Sequence, residues 1–572
     1  MAEVLLSPGV LANENDSSFL QAQPVQAGAA ILGPTVKGPV GIPTVVTTYS
    51  EYQNKFGAVV ESGSAQYTYF TSIAAYNYFQ QGGDSLLVTR IVTGSYTPAT
   101  SSKVANNDAS IQSSFVLETL SEGTDQNSTS PLGSAGQLSS GSSENIRWEI
   151  VSPNTSSGTF SLLIRRGDDI TTSKTILETW ANISLDPNAT NYIEKVIGNS
   201  TQTVTEDSGT GEYYVANAGT YNTISNFVRV KSVAAKTLNY FDNAGNAKSE
   251  FTSSIPTAQS GTFGDATGTA FDGITGNFYE NIATDTQGVT AGDYTISLNL
   301  LANQDDYKYN LIVAPGLTKQ SHSAPLTTMV DTSQQRGDNL SVIDLRNYGS
   351  EINSVVNDAS SVDSSYAATY WPWVQTIDPD LGSQVWVPAS TMMPGVFAFN
   401  DTAGEAWFAP AGLSRGSMNT VLRAERKLTN GNRDTLYQAN VNPIATFPNA
   451  GVVVFGQKTL QTAASALDRV NVRRLLIALK NYISQIADNL VFEQNTIATR
   501  NNFLTQVNPY LASVQQRQGL YAFKVVMDDS NNTPDVIDRN QLIGQIYIQP
   551  TKTAEFIYLD FNILPTGATF PA

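Results

Sequence analysis

The chain has 572 residues, too many for one hydrophobic core, so two to four domains are expected. Its formal charge of −18 argues against a nucleic-acid partner. The absence of cysteine, with His322 as the only histidine, excludes disulfide scaffolds, cysteine-type zinc sites and iron–sulfur clusters.

Residues Met1 to Leu20 hold little apolar surface, include Ser7-Pro-Gly-Val10 and a polar run from Asn13 to Ser18, and could not fold alone. Glu3 and the lack of a signal-length apolar run lead us to expect synthesis in a cytoplasm, and no stretch is long enough for direct membrane insertion. Gln26 to Tyr49 is strand-like around a Gly/Pro-rich loop, Gly33 to Pro43. After Tyr52 to Gly57, a helix is expected over Gln66 to Gln81, stopped by Gly82 and Gly83, then a strand over Ser85 to Val92. This is an α/β order.

From Pro98 to about Asp306 the pattern changes to short alternating strands with Gly, Ser, Asn and Thr turns, including a low-complexity stretch from Ser121 to Ser143. Between Thr97 and Asp306 stand 10 basic and 23 acidic residues, so this segment carries −13 of the −18 and reads as a solvated outer insertion of one or two domains. The α/β order resumes with a strand over Tyr309 to Pro315, a helix over Leu326 to Arg336 and a strand over Ser341 to Leu345.

Ser465 and Asp468 read as a capping box opening a helix to Leu490, with Val472, Leu475, Leu476, Leu479, Ile483, Ile486 and Leu490 on its apolar face. A second helix follows Phe492 to Thr496, and Asn508-Pro509 reads as the start of a third, capped by Gly519. Strands are expected over Tyr521 to Met527, Gly544 to Gln549 and Phe556 to Leu564, the last with Ile557, Leu559, Phe561 and Ile563 on one face.

Several of these pieces, in this order, resemble the tail sheath proteins of contractile-tailed bacteriophages. They are SPGV, AAILGPTVKGPVGIP (Ala29 to Pro43), YQNKFG, FQQGGDSLLVTRIV (Phe79 to Val92), WFAPAGLSRG (Trp407 to Gly416), LDRVNVRRLLIALKNYI (Leu467 to Ile483), FEQNT and GQIYIQPTKTAEFIYLDF (Gly544 to Phe561). LETWANISLDPNATNYIEKVI (Leu177 to Ile197) is similar to a segment of that family's projecting domain. The resemblance implies a multidomain α/β (α+β) fold with a discontinuous core from both chain ends and β-rich outer insertions. The expected parts are an arm over 1–20, a middle domain over 21–96 with 307–420, an insertion over 97–306 and an inner domain over 421–572.

The implied role is structural: a homo-oligomeric helical sheath in the virion tail, assembled in the host cytoplasm, working with an inner tail tube protein and with baseplate and tail terminator proteins. Ser7, Val10, Ile557, Leu559, Phe561 and Ile563 are then candidates for strand exchange between subunits. Arg469, Arg473 and Lys480, within about 40° of one another on a helix, are candidates for contact with the tube or a neighbour. The rivals are the sheath of a bacteriocin or contractile injection system, a secreted adhesin, and a hydrolase built on His322.

No catalytic, cofactor or metal site is expected. The loop Gly33-Pro-Thr-Val-Lys-Gly38 has two glycines at phosphate-loop spacing, but Pro39 and Val40 stand where Lys and Ser/Thr are needed. No G-x-S-x-G turn accompanies His322, which reads as a loop histidine. The pairs Asp168-Asp169, Asp305-Asp306 and Asp528-Asp529 lack calcium-loop spacing and read as solvated turns. Trp371 and Trp373 read as buried aromatic anchors.

Overall fold

The computed structural model describes residues 25–62, 65–132, 135–269 and 278–557. Its centre is an eight-stranded sheet, in spatial order Gly451–Val454, Asn442–Phe447, Ala367–Trp371, Leu340–Asp344, Leu311–Thr318, Ala29–Gly33, Leu86–Arg90 and Thr44–Val46. The inner six strands are mutually parallel, and an antiparallel strand closes each edge. Parallel strands need crossovers that cover both faces, so their sequences are continuous apolar runs. Ile31, Val88, Val313 and Val342 meet one face's helices, chiefly Phe70–Gln80 and Ala389–Ala403. Ala30, Leu87, Ile312 and Ile343 meet the other face, covered by Tyr294–Leu300, Ser323–Arg336 and Ile352–Ala359.

The two helices on the first face approach closely because Gly395 has no side chain. A Cβ there would come within 2.2 Å of Asn77 Nδ2, which donates instead to the Met392 carbonyl at 2.9 Å.

Residues Pro98–Gly264 form two four-stranded antiparallel sheets. One runs Ile176–Ser184, Thr159–Arg166, Ile146–Asn154, Gln259–Gly261; the other runs Val228–Val233, Phe115–Glu122, Pro98–Ser101, Phe263–Gly264. They share a core of their own around Trp148, Phe115 and Phe160, the last two rings stacked at 5.6 Å. The chain leaves and re-enters at adjacent points, where Thr97 N–H donates to the Thr267 carbonyl at 3.0 Å. The hairpin Thr201–Glu206/Tyr213–Ala218 lays Val204, Tyr213 and Val215 back on the central domain.

Three expected boundaries need correction. The insertion ends earlier than Asp306: Ile282, Val289, Tyr294 and Leu298 are buried in the central cores. The middle domain runs past residue 420, because Asn442–Phe447 and Gly451–Val454 extend its sheet. The helix predicted from Ser465 begins at Val470; Ser465 instead caps a separate short turn, Ala466–Asp468, by accepting from Leu467 N–H. Asp168-Asp169 is also not simply a solvated turn. Asp169 is buried and receives two hydrogen bonds from Arg165, at 2.7 and 2.8 Å, and one from Arg147 at 3.4 Å.

Beyond the sheet, helices Val470–Asp488 and Ile497–Gln516 and the antiparallel hairpin Leu520–Val526/Gln545–Pro550 enclose a smaller core. Here the sequence misled: Asn508-Pro509 starts no helix but lies inside the second one. An interior proline removes one hydrogen bond. Val507 and Leu511 are fully buried and the Tyr510 ring stacks 3.7 Å from Tyr482, so tertiary packing holds the helix through that point.

The adjacency of Thr97 and Thr267 generates a prediction: replacing residues 98–266 with a short Gly/Ser linker leaves the central sheet folded. Arg90 would lose its 2.8 Å bond to the Glu122 carbonyl, a loss of about 1–3 kcal/mol for a buried donor. The variant should unfold cooperatively with amide protection kept over Leu311–Thr318. Loss of the cooperative transition would show that the insertion is an integral part of the core.

Candidate assembly surface

The hairpin Leu520–Val526/Gln545–Pro550 forms a two-stranded sheet, and among the described residues neither strand has a second partner. Its outward side chains are large, with Tyr521 63% and Tyr547 56% exposed. Two open strand edges beside exposed aromatics form a surface suited to adding a further strand.

The chain leaving this hairpin is steered away from it. Thr551 still bonds back to the Gln518 carbonyl at 2.7 Å, but Thr553 Oγ1 already accepts from Gln457 Nε2 at 2.6 Å. Glu555 then meets Arg469 through two bonds of 2.7 and 3.0 Å, the Tyr437 hydroxyl at 2.8 Å and Gln457 Nε2 at 3.0 Å. Burial pushes the Glu555 carboxyl up, but the bonds from Arg469, Tyr437 and Gln457 and the guanidinium charge outweigh it, so its pKa ends below the usual carboxylate value. The segment Thr553–Glu555 is thereby fastened to the central domain.

Among the predicted strand-exchange residues, only Ile557 is described, and it stands 75% exposed outside any strand. Phe556 and Ile557, the described part of the predicted strand, lie outside any strand, just beyond the Glu555 anchor. Ser7, Val10, Leu559, Phe561 and Ile563 lie outside the described residues.

The cationic stripe is largely used within the chain. Arg469 pairs with Glu555 and Asp468. Arg473 is 4% exposed, stacked 3.9 Å from the Tyr366 ring centroid, and it donates to the Ser365 carbonyl at 3.2 Å. Lys480 keeps an exposed side chain while donating to the Tyr366 hydroxyl at 3.1 Å. The angular reading assumed that all three lie on the helix; Arg469 stands before its first turn with an extended backbone, and only Arg473 and Lys480 share the Tyr366 face. Glu555 was missed because a lone carboxylate in a strand-like stretch has no local signature; its position amid an apolar run was the only sign.

Elsewhere, His322 is buried at the start of its helix, not in an open loop, and its Nδ1 accepts from Thr318 N–H at 3.2 Å. Burial pushes its imidazole pKa down, favouring the neutral ring. In the Gly33–Gly38 loop, Lys37 pairs with Glu144 at 3.0 Å and the Gly38 carbonyl accepts from Arg90 at 2.7 Å, so its polar groups serve packing. Trp371 and Trp373 are buried, and Trp373 Nε1 donates to the Arg346 carbonyl at 3.0 Å.

An open groove of about 1060 Å³ separates the hairpin from the central domain. Trp407, Phe455, Leu520 and Tyr521 line it, with Arg415 and Arg433 on its wall.

Family comparison matches residues 287–460 to the phage tail sheath protein central domain and residues 462–564 to the phage tail sheath C-terminal domain. The chain is 38% identical over 215 residues to the tail sheath protein of Vibrio phage KVP40, covering 38% of this chain and 32% of that one. It is 31% identical over 302 residues to the tail sheath protein of Enterobacteria phage T4, covering 49% of this chain and 46% of that one. The matched region thus spans less than half the length of these relatives. Among solved structures, the anti-feeding prophage helical sheath in its contracted state is similar over 98% of this chain and 99% of that one, with 16% identity and a TM-score of 0.47.

The anchor predicts a local effect. Glu555→Gln should accelerate amide exchange over residues 551–556 and cost about 1.5–3 kcal/mol, the scale of hydrogen bonds to a charged group. Because the folded carboxyl titrates below its unfolded value, its contribution is present above the unfolded pKa and lost as pH falls through the lower folded one. The protection of amides over 551–556, taken relative to the intrinsic exchange rate at each pH, should therefore fall in acid in the wild type, while the variant shows little such change. Equal exchange in both proteins at neutral pH would remove the anchor.

Proposed function

From residue 287 to 564 this chain belongs to the phage tail sheath family, and on that premise we propose that it is the structural subunit of a contractile tail sheath. Many copies polymerise around an inner tail tube and then contract, driving the tube through the host envelope. The observation that carries this reading is the two-stranded hairpin with both edges open, inside the part of the chain that matches the sheath C-terminal domain.

A polymer that changes its pitch without dissociating needs links that tolerate rotation. Main-chain hydrogen bonds from an added strand meet that need: they join subunits while leaving the domains outside the sheet free to turn. The terminal arms supply the strands, with Ser7 and Val10 in one and Ile557, Leu559, Phe561 and Ile563 in the other. The Glu555 anchor gives the second arm a fixed point of departure.

The acidic insertion faces outward, away from the tube. The energy of contraction is stored in the extended packing, so the subunit acts without catalysis, cofactor or nucleotide. Baseplate and tail terminator proteins bound the polymer at its ends, within a virion tail assembled in the host cytoplasm. Within the cationic stripe, Lys480 is the residue still exposed for a tube or neighbour contact.

Deleting residues 1–20, or 557–572, should leave a soluble monomer that forms no filaments by electron microscopy at concentrations where the full chain does. Filaments of ordinary length from both truncated chains would rule out the arms as the links.

A further inference from the structure

At the turn between the two long C-terminal helices stands an unusual residue. Phe492 is wholly exposed, at 101% of its reference area, and its backbone is left-handed at φ 70°. Neither property favours the isolated chain: a bulky side chain in that conformation is strained, and a phenylalanine in water forgoes its burial. Val491 and Ile497 beside it are 61% and 65% exposed, so the turn is an apolar knob. Asp488 and Glu493 flank it, both exposed.

The groove described above has the complementary character. Phe455 and Tyr521 present exposed rings in its mixed polar and apolar lining, with Trp407 and Leu520 buried behind them. The Arg415 guanidinium lies 5.0 Å from the Phe408 ring and Arg433 lies 5.5 Å from Phe455. Their hydrogen bonds go to the Ala409 carbonyl and the Asn430 amide oxygen, not to a carboxylate. Lys552 adds a third cation; of the two acids on the wall, Glu555 is paired with Arg469 and Asp434 is the other.

Knob and groove cannot meet within one chain. The groove is lined by Asn471 and Gln515, at one end of the helix pair, and the knob lies beyond Asp488, at the other. Seventeen residues of helix separate Asn471 from Asp488, roughly 25 Å at 1.5 Å per residue. We propose that Phe492 of one copy seats in the groove of a second copy, with Asp488 and Glu493 facing Arg415 and Arg433. Such a contact joins two different surfaces of the same molecule, so it propagates into a filament unless its rotation closes a ring. It rests on the sheath reading, which supplies the second copy, and adds a side-chain contact distinct from strand exchange.

The test is filament formation by the full chain with Phe492→Ser and Phe492→Gly. Both should raise the concentration needed for filaments about tenfold, equivalent to about 1.4 kcal/mol. Phe492→Gly should at the same time raise the melting temperature of the monomer, because glycine relieves the left-handed strain. The native chain contains no cysteine, so Phe492→Cys combined with Gln515→Cys gives an unambiguous second readout. A short thiol cross-linker should join the subunits of its filaments into ladders, and neither single variant should do so. Normal filaments from Phe492→Ser, or filaments of the double variant that do not cross-link, overturn the contact while leaving the sheath reading intact. A wild-type chain that forms no filaments, with or without tube protein, overturns the sheath reading itself.

Discussion

The parallel pairing of Ala29–Gly33 with Leu311–Thr318 is the constraint on which the architecture depends. Ala30 opposes Ile312 and Ile31 opposes Val313, joining segments on either side of the whole insertion. Closing so long a loop costs entropy, but the cost grows only logarithmically with length, so a large domain can occupy the intervening chain. Burial of the joining strands on both faces offsets it. This is why the insertion has its own core around Trp148 and Phe115, and why its entry and exit at Thr97 and Thr267 lie side by side.

A second consequence concerns the helix Val470–Asp488. It leaves the central domain immediately after the edge strands, and the cations of its first turns fasten it back: Arg469 to Glu555, Arg473 to Ser365 and Tyr366, and Arg474 to Asp401 at 2.9 Å. Partly buried charges of this kind add little net stability but are costly to leave unpaired, so their effect is to fix one arrangement. The C-terminal hairpin therefore presents its open edges in a set direction relative to the central sheet.

Much of this was legible in the sequence. The α/β order, the turn-rich insertion and the apolar face of the first C-terminal helix all follow from periodicity, which is a local signal. Tertiary contacts decided what remained. Pro509 lies within a helix because Val507, Leu511 and the Tyr510–Tyr482 stack hold both sides of it. Residues Ile282 to Leu298 return to the core although their composition matches the insertion's, because burial against the sheet has no compositional mark in so short a stretch. Of the predicted cationic stripe, Arg469 precedes the helix and meets Glu555, while Arg473 and Lys480 meet Tyr366, partners remote in sequence. Phe492 shows the opposite case: its exposure and φ come from the fold and have no sequence signature.

On the proposed function, subunits are joined through the C-terminal hairpin while the β-rich insertion stays outside. A density map of filaments grown from the full chain tests this most directly. Leu520–Val526 or Gln545–Pro550 should gain a strand from a neighbouring copy, with the insertion at the largest radius. A map in which the hairpin remains two-stranded, and neighbouring copies meet through the insertion, would contradict it.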